Sequence, residues 1–305
     1  MKHMKTDKGA ILVTGASSGL GRACALKLDQ AGYKVFAGVR SESDAEKLTY
    51  LASTRLTPVL LDITNEASIA ATASKVAEEV GEVGLVGLVN NAGIAVPAPL
   101  EEIPLAELRR QFEVNVIGQV AVIQALLPLI RKARGRIINV GSVASSLTFP
   151  FAGATSASKA ALESINDALR MELLPWGIHV ILLTPSTIRT PGVDKIRHDS
   201  EEILHNMPEE AARRYAIPFP SVRNIEAFTK QAATGSPPEA VADVILQALT
   251  ARTPRTQYLV GRGSRLLPLL ARLLPTRWLD RVRFQFLGLA HQPATPDLAK
   301  KLRAF

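Results

Sequence analysis

The stretch Thr14-Gly15-Ala16-Ser17-Ser18-Gly19-Leu20-Gly21 follows the apolar run 10–14 without a break and leads into a helical pattern over 21–31. Glycines between a strand and a helix let the backbone turn tightly and come close to a pyrophosphate. The helix N-terminus behind them offers unpaired N–H groups and the positive end of a dipole. The spacing T-G-x-x-x-G-x-G differs from the commoner G-x-G-x-x-G fingerprint but places the same groups at the same kind of turn.

Outward from this turn, short apolar runs at 10–14, 34–39, 58–61, 85–89, 136–140, 179–183 and 257–260 alternate with helix-length segments at 21–31, 67–80, 105–133 and 156–174. The first six runs are almost continuously apolar, as in strands buried on both faces of a parallel sheet. The alternation predicts an α/β fold: a doubly wound parallel Rossmann sheet of about seven strands in a three-layer sandwich. Ligands are then expected at the C-terminal ends of the strands. The chain of 305 residues divides into a catalytic domain over 1–260 and an extension over 261–305. Residues 186–236, rich in proline, interrupt the rhythm and are expected to form a substrate lid with a helix near 209–216.

Composition narrows the function classes. The net charge is +8, but residues 261–305 hold nine Lys/Arg against Asp280 and Asp297, so the first 260 residues are nearly neutral. The basicity belongs to the tail and gives no reason to expect nucleic acid. No apolar run of the ~18 residues needed to span a bilayer is expected, and no secretory signal. A cytoplasmic protein follows. Cys24 is the one cysteine and is expected to be a small buried hydrophobe. No metal site is expected.

Cofactor choice is a question of charge. NAD enzymes place a carboxylate at the end of the second strand to hold the ribose 2′-OH. Here that strand ends Gly38-Val39-Arg40. A guanidinium suits a 2′-phosphate, and Ser18 adds a hydroxyl, so NADP(H) is expected.

Further motifs lie downstream: Asn90-Asn91-Ala92-Gly93, Asn115, Ser142, and Thr155-Ser156-Ala157-Ser158-Lys159. Together with the glycine turn they make the chain similar to the short-chain dehydrogenase/reductase family over roughly residues 9–260. Within that family it most resembles the subgroup of retinol dehydrogenases and type 1 17β-hydroxysteroid dehydrogenase, through Val39-Arg40, Gly141-Ser142-Val143 and Ile188-Arg189-Thr190-Pro191. The resemblance implies cofactor contacts from Gly15, Ser17, Ser18, Gly19, Leu20, Gly21, Arg40, Asp62, Ile63, Asn90, Ala92, Gly93, Lys159, Pro185, Ile188 and Thr190. It implies catalytic roles for Asn115, Ser142, Lys159 and position 155.

At position 155 the family carries a tyrosine whose phenol exchanges a proton with the substrate oxygen. Lys159 lies one turn further along the same helix and would lower the phenol's pKa from about 10. This chain has Thr155, whose aliphatic hydroxyl is a far weaker acid and several ångströms shorter. Three readings stay open. Another acid serves: Lys159 directly, a water held by Thr155 and Ser142, or a distant tyrosine, of which only Tyr215 in the expected lid is placed to reach. Thr155 was introduced to disable or retune the enzyme. Or the protein binds NADP(H) in a non-redox, regulatory role. A second departure is Ser186 after Pro185, where the family has glycine; its Cβ is expected to narrow the pocket beside the nicotinamide.

A small lipophilic alcohol, ketone or aldehyde is the expected substrate, from the subgroup and the apolar lid residues. The tail's Leu, Trp and Phe, interleaved with Arg, are read as peripheral membrane contact or cover for the pocket. Packing on the parent domain or on a second copy in a homodimer stays open beside them.

Overall fold

The computed structural model describes residues 8–189, 234–261 and 263–286, together with 198, 202 and 205–211. Seven strands form one parallel sheet: β1 (Ala10–Val13), β2 (Lys34–Val39), β3 (Leu56–Leu60), β4 (Leu85–Asn90), β5 (Arg136–Val140), β6 (His179–Pro185) and β7 (Gln257–Val260). Their order is β3-β2-β1-β4-β5-β6-β7, so the winding reverses between β1 and β4. A crevice at the C-terminal ends of those two strands is where such sheets bind ligands.

Two cores follow from burying the sheet on both faces. On one side α1 (Gly19–Gln30), α2 (Glu42–Leu51) and α7 (Pro238–Thr250) cover Ile11, Val13, Val35 and Ile181. On the other, α3 (Glu66–Val80), α5 (Gly118–Ala133) and the end of α6 (Gly153–Leu173) cover Leu12, Phe36, Leu88 and Ile137. Each buried Leu, Ile or Phe contributes about 1.5–3 kcal/mol, which is why these strands read as unbroken apolar runs. Pro58 sits inside β3, which is tolerated because β3 is an edge strand and that N–H has no ladder to serve. Cys24 is fully buried, and desolvation pushes its thiol up to about 12, so it packs as a hydrophobe.

Three expectations need correction. The segment 105–133 is not one plain helix: α4 (Leu105–Phe112) passes through a π turn (Glu113–Ile117) before α5. The same Leu105–Ala133 stretch is long and apolar enough to span a membrane by length and composition. No such run was expected. Here Val122, Ile123, Leu126 and Ile130 lie in the sheet core, so the apolar length serves packing. Third, the first helix begins at Gly19 rather than Gly21, with Gly19 itself at φ +53.

The base of the expected lid is closed: Ile188 bridges Ser236, with Arg189 N donating to Ser236 O at 3.0 Å and Ser236 N to Thr187 O at 3.0 Å. Most of residues 190–233, including Thr190 and Tyr215, lies outside the described residues. Beyond β7 the tail forms α8 (Leu266–Leu273) and α9 (Thr276–Phe286).

Candidate active site

The turn after β1 is built by tight approach. Gly15 has φ +65, and a Cβ there would stand 2.9 Å from Ala92 Cα. A Cβ on Gly21 would overlap the Gly15 carbonyl and come within 2.5 Å of Asn91 Nδ2. Asn91 Nδ2 donates to the carbonyls of Thr14 (3.0 Å) and Gly15 (3.2 Å). Buried Thr14 Oγ1 accepts from the N–H groups of Asn91 (2.9 Å) and Ala92 (3.0 Å). These bonds lock the glycine turn to the Asn-Asn-Ala-Gly turn across the switch point.

What remains open is an anion site. Ser18 is the N-cap of α1 but makes no side-chain cap bond, and the first turn carries no acidic residue. Its exposed hydroxyl and the first N–H groups of α1 are therefore available to an anion such as a pyrophosphate. Ser17 is half-buried beside it. Arg40, exposed just past β2, supplies a cation there. Asp62, exposed past β3, accepts from Thr64 N (2.9 Å) and Thr64 Oγ1 (2.7 Å). The Thr64 backbone bond, then its hydroxyl, and Arg40's charge to a lesser degree, hold the Asp62 carboxyl below its ordinary pKa.

Three residues expected to contact the cofactor, Leu20, Ile63 and Asn90, have buried side chains. Leu20 and Ile63 are buried, at 6% exposure each, in the two cores. Ile63's carbonyl instead packs against Gly118, where a Cβ would collide with it. Asn90 is 1% exposed and turned inward, donating to Asn139 Oδ1 (3.1 Å) and Gln119 O (3.3 Å). Asn139 in turn donates to Asn166 Oδ1 on α6 at 3.0 Å. This set ties β4, β5 and α6 together beneath the site, although Asn90 Oδ1, Gln119 Oε1 and Asn166 Nδ2 have no hydrogen-bond partner in it. Gln119 Nε2 also holds Ala92 O. On the Asn-Asn-Ala-Gly turn, Asn91, Ala92 and Gly93 are the accessible residues.

Pro185 ends β6, buried, and Ile188 packs on the adjoining core. Ser186 does not bear out the expectation that its side chain narrows the nicotinamide pocket. Its Oγ lies toward Gly261, where a Cβ would overlap it, and toward Ser236. Gly261, at φ +95, makes the room.

The catalytic candidates are assembled by α6, α4 and the π turn. Lys159, half-buried on α6, donates from Nζ to Val140 O at 2.7 Å. Desolvation lowers its pKa to about 8, with no charged group contributing. Nζ lies 3.8 Å from where a Cβ of exposed Gly93 would be. Ser142 Oγ accepts from Ala144 N at 3.1 Å, which leaves its own proton free to donate to a ligand. Asn115 sits in the π turn, a device often found at functional sites. Its amide is spent on Ile94 N and O (both 2.9 Å) and Ser158 Oγ (3.1 Å).

Gln111 escaped sequence reading. It is fully buried, accepts at Oε1 from Val96 N (2.8 Å) and from Thr155 Oγ1 (3.4 Å), and donates to Ile94 O (2.8 Å) and Ser158 Oγ (3.3 Å). The available signal was spacing, since Gln111 lies four residues before Asn115 and shares its helix face. Thr155 is half-buried in the first turn of α6. Before it, Phe151 has φ +66, a strain of about 1–3 kcal/mol for a bulky residue, and its carbonyl holds Ala98 N at 3.0 Å. Of the other tyrosines, Tyr33 and Tyr258 are buried in the core and Tyr50 is 90% exposed on α2.

Comparison with known proteins matches this geometry. The family model for short chain dehydrogenases fits residues 9–201. Mouse retinol dehydrogenase 5 is 36% identical over 276 residues, covering 89% of this chain and 86% of its own. Mouse estradiol 17-beta-dehydrogenase 2 is 35% identical over 285 residues, covering 92% and 75%. The crystal structure of a short-chain dehydrogenase from Streptomyces avermitilis superposes with a TM-score of 0.71 at 30% identity, over 92% of this chain and 95% of that one. With its glycine turn, its Ser142–Lys159 pair and its sheet order in place, the chain belongs to the short chain dehydrogenase family.

Proposed function

We propose that the protein is an NADP(H)-dependent oxidoreductase acting on a small lipophilic alcohol, ketone or aldehyde, through an active site whose proton chemistry does not use a phenol. The observation that carries the cofactor assignment is Arg40, exposed at the end of β2 where a ribose-binding acid would stand. Among the described residues no ion pair consumes it. A guanidinium there can hold a 2′-phosphate by charge-assisted bonds, while Ser18 and the α1 N-terminus hold the pyrophosphate. Lys159 would hold the nicotinamide ribose, and Ser142 would donate to the substrate oxygen. When bound, the nicotinamide supplies or takes up hydride. The names of the retinol and estradiol relatives support a lipophilic substrate.

NADPH is expected to bind at least tenfold more tightly than NADH, and Arg40→Ala to remove most of that difference while leaving NADH affinity unchanged. Fluorescence titration of both cofactors reads this directly. Equal affinities in the unmodified protein, or a preference unchanged by the substitution, overturn the assignment.

The tail supports peripheral contact with anionic membranes. Leu266, Leu269 and Leu273 lie on one face of α8 and are 52–70% exposed. On α9, Trp278 and Val282 are 61% and 48% exposed while Leu279, on the other side, is buried. Exposed Arg265, Arg277 and Arg281 accompany them. Apolar side chains turned outward among cations suit a lipid headgroup boundary, at about 1 kcal/mol per basic residue. The triple substitution Leu269→Ser, Leu273→Ser and Trp278→Ser should abolish salt-sensitive sedimentation with phosphatidylserine vesicles and leave NADPH binding intact. Sedimentation equal to that of the unmodified chain excludes this role.

A further inference from the structure

We propose that Lys159 is itself the proton donor of this site, and that Gln111 brings this about by holding Thr155 as a hydrogen-bond acceptor. The inference rests on the reductase reading above. Gln111's amide cannot be flipped: Oε1 faces the Val96 N–H at 2.8 Å and Nε2 faces the Ile94 carbonyl at 2.8 Å. Thr155 Oγ1 lies 3.4 Å from that fixed Oε1, and a hydrogen bond between the two can run only from Thr155 to Gln111. The bond is long, but its direction is forced. Thr155 presents lone pairs elsewhere, where they can accept from a water, an ammonium or a substrate hydroxyl. It cannot at the same time donate to a carbonyl oxygen.

That leaves the ammonium one helical turn away. Nζ spends one of its three protons on Val140 O and lies 3.8 Å from where a Cβ of exposed Gly93 would stand. The groups around it, Val140 O, Gly93 and the Asn115 amide, are neutral, and among the described residues no charged side chain contributes to its titration. Burial brings its pKa to about 8, within reach of working pH. In reduction, the carbonyl carbon receives the hydride that a bound reduced nicotinamide supplies. The carbonyl oxygen forms its new O–H bond with a proton from Nζ. The N–H bond broken leaves a neutral amine, which regains its proton from water. A donor must be protonated, so reduction is retained below the Lys159 midpoint and lost above it.

The test uses the full chain. Competitive acetylation of the NADPH-loaded protein across pH 6–11 gives the Lys159 midpoint without reference to turnover; about 8 is expected in both the unmodified protein and Thr155→Val. The pH profile of reduction of a lipophilic ketone and aldehyde panel should fall through that same midpoint. Thr155→Val and Gln111→Leu should each lower kcat by about threefold, since either removes the acceptor that Gln111 holds in place. Lys159→Arg, which keeps the charge but has no proton to give near neutrality, should lose about 10²-fold or more with NADPH still bound. Gln111→Leu and Thr155→Val should show a coupling of about threefold in kcat, which a purely structural glutamine would not. A midpoint near the ordinary 10.5, or turnover that survives Lys159→Arg, overturns the proton-donor role. Absence of coupling overturns the part given to Gln111. No turnover of any panel member, with the midpoint at about 8, overturns instead the reductase reading.

Discussion

Thr155→Tyr is expected to raise NADPH-dependent reduction of lipophilic ketones or aldehydes by about 10²-fold or more. The substitution restores a phenol one turn before Lys159, on the same helix face, where the nearby ammonium can lower its pKa from about 10. It also removes the Thr155 hydroxyl from Gln111 without disturbing Gln111's bonds to Ile94 and Val96. The phenol is the longer and more acidic donor, so it should displace Lys159 from that role. Steady-state kinetics with a substrate panel, alongside NADPH titration, decide the matter. No gain in a variant that still binds NADPH would favour a non-redox role for the family member.

A comparably large loss is expected from Gly21→Val. The new Cβ would overlap the Gly15 carbonyl and lie 2.5 Å from Asn91 Nδ2. Neither can yield cheaply, because Gly15 is backbone and Asn91 is held by two carbonyls. The turn between β1 and α1 must open, and NADPH affinity should fall about 10²-fold or the protein should fail to fold. Gly32→Ala is the matched control: φ is +91, but nothing lies within 4 Å of the added Cβ. It should cost about 1–2 kcal/mol of stability through the left-handed backbone alone and leave NADPH binding unchanged. Thermal melts and cofactor titration on both variants separate the two effects. Unaltered NADPH binding in Gly21→Val would refute the close-packed turn.

Much of this was legible in the chain. Strands buried on both faces cannot alternate polar and apolar residues, so the parallel sheet showed as apolar runs, and all seven appear. The glycine turn showed because backbone approach leaves a residue-type signature: only glycine avoids a collision at Gly15 and Gly21. Ser142 and Lys159 followed from motif spacing. Residues whose surroundings the sequence did not show share one property: they make contacts between segments far apart in the chain. Asn90 reads as a cofactor ligand by position but turns inward to Asn139, 49 residues away. Ser186 reads as an obstruction, yet its Oγ lies toward Gly261, which follows β7 and has no side chain to meet it.

The sequence by itself therefore determined the layer order, the glycine turn after β1, the cation just past β2 and the absence of a phenol at position 155. These depend on local periodicity, on backbone sterics and on which side chains are present at all. Only the tertiary structure decided the direction in which Thr155 gives its proton and the enclosure that lowers Lys159. It also decided the outward turn of the apolar faces of α8 and α9. A hydrogen bond's direction is set by what else its partner must satisfy, and a pKa by how much water is excluded; neither quantity belongs to any one residue.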